Sequence, residues 1–371
     1  MRITFVLPYA GMGGGVRAVA MYAKLLSERG HSVLVVSTPP PPIPLRRKVL
    51  RLLRGEQPLF PPKPMSHLDL CPSVARRVIP RYRPVVAEDL PDADVVIATW
   101  WETAEWVARL PATKGAKVYF VQHHEVVFDN QPIDRIEQTY RFPMQKICCA
   151  QWLTELMRVQ YNDPTAICVP YGLDHALFSA PPRGKQKRPT IGMMYATSRF
   201  KGCDVGIEAV RIASRNIPNL TFRCFGQKPP TTALPLPPDA LFELLPTQER
   251  IVEIYSSCDA WLMPSRCEGF GMPVLEAMGC RTPVIGTPTG VMPEALSEGG
   301  GILVPPDNVP SLAVAIERIC RMLDGEWREM SEAAYRTAGR YQWESSVRLF
   351  ENALHLAMQR GERQVSTAPS S

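Results

Sequence analysis

The sequence runs to 371 residues, 45% hydrophobic and 21% charged, an ordinary globular balance with room for two domains. A formal net charge of +6 suits anionic ligands or lipid surfaces but is too small to argue for nucleic acid, and no nucleic-acid-binding motif stands out. Ten scattered cysteines without a C-x-x-C pair exclude a zinc ribbon and a disulfide framework, and point to a reducing cytosol.

Ile3–Leu7 reads as a buried strand, too short for a signal-peptide core. No apolar run reaches the roughly 20 residues of a membrane helix. A glycine loop follows, Gly11-Met12-Gly13-Gly14-Gly15. Val16–Arg29 then reads as a helix with Val19, Tyr22, Leu25 and Leu26 on its apolar face, and Ser32–Val36 as a second parallel strand. Gly13, Gly15 and Ala18 satisfy G-x-G-x-x-A, but a dinucleotide site wants an acid after the second strand. Ser37, Thr38 and Pro39 stand there instead. A tight turn without ligand is the plain alternative for this loop.

Two proline-rich brackets enclose Arg46 through Arg54, where cations alternate with apolar residues. A solvated surface helix is the first reading of 46–54; peripheral contact with an anionic membrane is the second. Asp94–Ala98 and Val118–Val121 read as strands, with a helix opening near Trp100–Ala104 between them. Gln122, His123, His124 and Glu125 stand at the carboxyl end of the latter strand, an address where open parallel sheets place site residues. A hydrogen-bonded structural histidine is an equal reading there. A strand over 146–150, a helix to Tyr161 and a strand over 167–170 follow, then a linker at 181–189. The second domain restarts with strand 190–195, the loop Arg199-Phe200-Lys201-Gly202 and a helix with Asp204 in its first turn.

Strands over 220–226 and 241–245, a helix to Ser257 and a buried strand at 260–263 lead to Ser265–Glu294. Gly269 and Gly271 loosen the loop, and Pro273 suits the first turn of a helix. Val274, Leu275 and Met278 give that helix an apolar face, and Gly279 ends it. A strand at 283–286 follows, then one at 299–304, and helices over 309–324, 327–340 and 344–360. Two carboxylates, Glu268 and Glu276, flank the glycine-rich strand-to-helix turn. Loop N–H groups and a helix N-terminus favour phosphate, whereas carboxylates accept hydrogen bonds from hydroxyls. A nucleotide-sugar has both features.

The residues Glu268, Gly269, Phe270, Gly271, Pro273, Leu275, Glu276, Ala277, Met278, Pro283, Val284, Ile285, Gly290, Pro293 and Glu294 resemble the retaining glycosyltransferases of family 4 (glycosyl transferases group 1). The resemblance implies the α/β GT-B fold, two Rossmann-like doubly wound parallel-sheet domains with a cleft between them. Residues 1–180 would form the acceptor side and 189–343 the nucleotide-sugar-binding domain. A helix over 344–361 would cross back to the first domain, and 362–371 would be a disordered tail. The implied reaction moves a sugar from a nucleotide-diphosphate donor to a glycan, lipid-linked or small-molecule acceptor, with retention and with neither metal nor other cofactor. The implied setting is polysaccharide biosynthesis, in the cytoplasm or peripherally at the inner membrane face.

By the same resemblance, Glu276 binds the ribose hydroxyls and Glu268 contacts the transferred sugar, helped by the Gly269–Gly271 backbone. Arg199 and Lys201 grip the diphosphate beside a helix N-terminus, and Gly14 and Gly15 let substrates approach the backbone. The loop 246–249 is where the family places the base. A histidine after strand 118–121 faces the sugar; Gln122 and His123 are both in register, with His124 beside them, and the choice stays open. Trp100–Ala104 together with the 118–125 run looks like a subgroup that includes rhamnosyltransferases. Tyr171 in Pro170-Tyr171-Gly172-Leu173-Asp174 replaces the family's Asn, and Arg281 stands where a Gly usually precedes Thr282. A GT-B epimerase or a non-catalytic sugar-nucleotide binder is the alternative for the same residues.

Overall fold

The computed structural model describes residues 1–42 and 66–366. The cationic segment 46–54 lies outside the described residues. The strands are short, nearly continuous apolar runs such as Val95–Ala98 and Ala260–Met263, the pattern of parallel sheets covered on both faces. Among the described residues the chain divides into two compact units. The first comprises Met1–Cys149, Leu153–Val169 and the chain from Val347 on; the second comprises Ala150–Trp152 and Pro170–Ser346.

The first unit holds β1 (Arg2–Tyr9), β2 (Ser32–Thr38), β3 (Ala75–Val78), β4 (Val95–Ala98), β5 (Ala116–Val121), β6 (Gln145–Cys148) and β7 (Ile167–Cys168), in the order β3-β2-β1-β4-β5-β6-β7. The second holds β8 (Thr190–Tyr195), β9 (Thr221–Gly226), β10 (Leu241–Leu244), β11 (Ala260–Met263), β12 (Val284–Gly286) and β13 (Gly301–Leu303), in the order β10-β9-β8-β11-β12-β13. Every pairing is parallel. Both sheets therefore reverse direction of growth once, between β1 and β4 and between β8 and β11. These are the topological switch points where doubly wound folds bind ligands at strand carboxyl ends.

In the first unit Tyr22, on the helix Gly14–Glu28, stacks on Phe350 at 4.3 Å, and Phe120 of β5 meets Phe350 edge-on at 5.1 Å. All three rings are fully buried. Phe350 belongs to the helix Trp343–Ser366, which runs to 366 where the sequence predicts a disordered tail over 362–371. The sequence offers good helix formers there and no proline before Pro369. The segment 170–180, assigned from the sequence to the first domain, packs with the second unit. Tyr171 lies 4.9 Å from Phe270, and Phe178 lies 6.3 Å from Tyr255. Strand β3 gave no sequence signal because all four of its residues are exposed and two are arginines, a charged edge that discourages further pairing. Among the described residues no helix is long and apolar enough to cross a membrane.

Candidate active site

Three loops of the second unit converge beside its switch point, and glycines allow it. Gly202 has φ +62°, and a Cβ there would stand 1.9 Å from the Pro264 carbonyl oxygen. Only glycine lets the turn Arg199–Lys201 lie against the loop after β11. The Arg266 N–H then donates to the Phe200 carbonyl at 2.7 Å. Gly290 has φ +60°; its Cβ would fall 2.3 Å from the Phe270 carbonyl oxygen and 2.9 Å from Glu268 Cβ. The Val291 N–H donates to that Phe270 carbonyl at 2.7 Å. The helix Met272–Gly279 starts here, with proline in its first turn.

Glu268 is buried at the meeting point. Lys201 Nζ donates to its two carboxylate oxygens at 2.8 and 3.0 Å, and Ser265 Oγ donates to Oε1 at 2.7 Å. Glu276 is buried as well, and the fully buried Tyr255 hydroxyl donates to its Oε2 at 3.0 Å. Arg199 is exposed, and among the described residues its guanidinium makes no ion pair. Its carbonyl accepts from Arg266 Nη1 at 2.6 Å. Arg266 is committed to structure. It holds Asp204 at 2.8 and 2.9 Å and Asp307 at 2.6 Å, and its hydrogen bonds keep the Asp204 carboxyl below its ordinary range. Burial pushes the nearby Cys203 and Cys267 thiols up to about 11, so neither is a thiolate nucleophile at neutral pH. The Gly269 carbonyl accepts from the Trp152 indole at 2.8 Å.

Sequence reading missed Ser265, Tyr255 and Arg266. Ser265 sits three residues before Glu268, a spacing that offers a local hydrogen bond. The Tyr255–Glu276 contact spans 21 positions, so no local pattern announces it. Arg281, the departure from the family's glycine, has φ +59°. That left-handed backbone costs a non-glycine residue about 1–2 kcal/mol. Its guanidinium offsets this by donating to Ala180 O and Glu332 and lying 3.9 Å from the Tyr335 ring.

The first unit places its candidates at the β1/β4 switch point. Gly14 opens the helix, and a Cβ there would meet nothing within 4 Å. A Cβ on Gly15 would lie 3.2 Å from Gln122 Oε1, so Gln122 faces the glycine loop. His123 turns to an aromatic cluster. Its ring is 4.8 Å from Phe128, which is 5.4 Å from Trp100. His124 meets the Tyr161 hydroxyl at 2.8 Å, and burial lowers its pKa. Glu125 accepts from the Trp101 N–H at 2.8 Å and the Tyr119 hydroxyl at 2.9 Å. Burial pushes its carboxyl up to about 8, which fits an acid that ties the helix Trp101–Ala108 to β5. Among the described residues, no group of three or more His, Cys, Asp or Glu could hold a metal.

Two doubly wound parallel-sheet units define the GT-B fold, and the second carries a cation and an acid pair at its switch point. Residues 188–322 match the family described as glycosyl transferases group 1. The chain is 37% identical over 122 residues to D-inositol 3-phosphate glycosyltransferase from Corynebacterium jeikeium, covering 31% of this chain and 28% of that protein. It is 30% identical over 109 residues to O-antigen chain mannosyltransferase B from Escherichia coli, covering 29% of this chain and 28% of that protein. The chain thus spans little more than a quarter of either relative's length. HepE from Anabaena, solved with UDP-glucose, superposes with a TM-score of 0.67 at 18% identity, over 99% of this chain and 100% of that one. Sucrose-phosphate synthase from Thermosynechococcus elongatus gives 0.66 at 17% identity, over 98% and 99%. At these identities the likeness speaks to the fold.

Proposed function

We propose that the protein is a retaining glycosyltransferase that moves a sugar from a nucleoside-diphosphate sugar to a hydroxyl of a glycan, lipid-linked or small-molecule acceptor. The observation that carries this reading is the Lys201–Glu268–Ser265 cluster, with Glu276 eight residues on in the helix Met272–Gly279, inside the stretch that matches glycosyl transferases group 1. The relatives' names, which speak of inositol phosphate and mannosyl transfer, and the UDP-glucose bound to HepE support a nucleotide-sugar donor.

The chemistry follows from charge. Departure of a diphosphate builds negative charge on its leaving oxygen, and a site preorganised with cations lowers that barrier. Lys201 is held in place by Glu268, and Arg199 is exposed beside it. Both precede the helix Cys203–Asn216, whose N-terminal dipole end adds positive potential. Glu276, fixed by Tyr255, would accept the ribose hydroxyls. Glu268 is bound to a lysine and a serine, a state that favours positioning and electrostatics over attack as a nucleophile. Retention then comes from acceptor attack on the face that the diphosphate leaves, with a phosphate oxygen taking the acceptor proton. Gly14, Gly15 and Gln122 would serve the substrates from the first unit, and His123 stands next to them.

The test incubates the protein with UDP-, GDP-, ADP- and dTDP-sugars, with and without candidate acceptors. Nucleoside diphosphate should appear only with acceptor, and NMR should show the donor's anomeric configuration in the product. An epimerised donor, or binding without turnover across the panel, would replace this reading with the epimerase or the non-catalytic binder.

A further inference from the structure

We propose that the first unit carries a second anion site, for a phosphate group, in a cavity of about 300 Å³ at the amino-terminal edge of its sheet. Strand β5 begins at Ala116 and β6 at Gln145, and both residues line the cavity. It is therefore at the opposite edge of the sheet from Gly15 and Gln122.

Four cations line it, Lys117, Arg141, Lys146 and Arg360, against one carboxylate, Asp163. Lys146 is 3% exposed and pairs with Asp163 at 3.0 Å. The other three donate to neutral oxygens: Lys117 Nζ to Ala108 O at 2.6 Å, Arg141 Nη1 to Glu137 O at 3.1 Å, and Arg360 Nη1 to Gln145 Oε1. Among the described residues none of these three makes an ion pair. Burial lowers the Lys117 pKa, the expected cost of a part-buried cation without a counter-ion, and a bound anion would reverse it. The Arg141 guanidinium lies 5.1 Å from the Tyr161 ring centroid, a contact that orients its N–H fork. Planar N–H forks and an ammonium suit the tetrahedral oxygens of phosphate. The cavity volume lies at the small end of ligand pockets, enough for a phosphomonoester with a small organic body. That chemistry occurs on a soluble phosphate ester and on a phosphomonoester lipid headgroup.

The experiment uses the full chain at low salt. Calorimetry follows inorganic phosphate and glycerol 3-phosphate, and flotation follows phosphatidylcholine vesicles with and without phosphatidic acid. Lys117→Met and the exposed Arg141→Gln are compared with wild type and with Arg215→Gln, an exposed cation of the second unit. Thermal unfolding checks that each variant folds. Each cavity variant should weaken phosphate binding about tenfold, with Arg215→Gln unchanged. Binding of the soluble ester identifies that source, and binding of phosphatidic acid vesicles alone, lost in Arg141→Gln, identifies the headgroup. No binding by wild type in either arm, or binding indifferent to both Lys117 and Arg141, overturns the proposal.

Discussion

Tyr255→Phe tests how the second acid of the pair is held. The substitution removes one hydroxyl and keeps a fully buried ring that lies 4.5 Å from Trp261 and 6.0 Å from Phe225. That hydroxyl donates to Glu276 Oε2 at 3.0 Å, and both groups are out of solvent. A hydrogen bond to a charged group contributes about 1.5–3 kcal/mol. Part of that loss should show as lower stability, about 2–4 °C in midpoint for each kcal/mol in a domain of this size. The rest should show as weaker donor binding, about tenfold, because the carboxylate loses its fixed orientation. Calorimetric titration of the preferred nucleoside diphosphate reads the affinity and differential scanning calorimetry reads the stability. The decisive comparison is a double-mutant cycle. In a Glu276→Ala background, Tyr255→Phe should change the affinity by less than about twofold. An equal loss in both backgrounds, or no loss in wild type, would refute the idea that Tyr255 acts through Glu276.

Gly290→Ala should destabilise the second unit and weaken donor binding together, because its Cβ would meet Phe270 O and Glu268 Cβ on a left-handed backbone; thermal unfolding and titration check both. Gly14→Ala should leave the melting temperature unchanged, since nothing lies within 4 Å of the new methyl, yet lower kcat/KM if substrate approaches that backbone. Glu125 should make stability depend on pH. Its carboxyl is raised by burial from 4.5 to about 8, so the folded state binds the extra proton. Its contribution is whole below the unfolded value and is lost as pH rises through the folded one, at up to about 1.4 kcal/mol per pH unit. Thermal unfolding between pH 5 and 9 should show that decline in wild type and a flatter profile in Glu125→Gln.

The parts legible in the sequence are those written in local pattern. Apolar runs marked most of the strands, and the Glu268–Glu276 spacing with Gly271 and Pro273 marked the strand-to-helix turn. What the sequence hid is tertiary. The Lys201–Glu268 pair joins positions 67 residues apart, and the Tyr255–Glu276 bond joins another helix to the motif. The boundary at 169 rather than 180 depends on Tyr171 and Phe178 finding rings in the second unit, which no run of residues declares. Arg281 shows the reverse case. The departure from glycine was visible, but its compensation through Ala180, Glu332 and Tyr335 was not.

The most direct test of the donor site is calorimetric titration, without added divalent metal, of UDP, GDP, ADP, dTDP and NAD against wild type and Glu276→Ala. One nucleoside diphosphate should bind, and Glu276→Ala should weaken it by about ten- to a hundredfold, while NAD should not bind. Binding of NAD alone, or diphosphate binding indifferent to Glu276, would contradict a nucleotide-sugar site at the β8/β11 switch point.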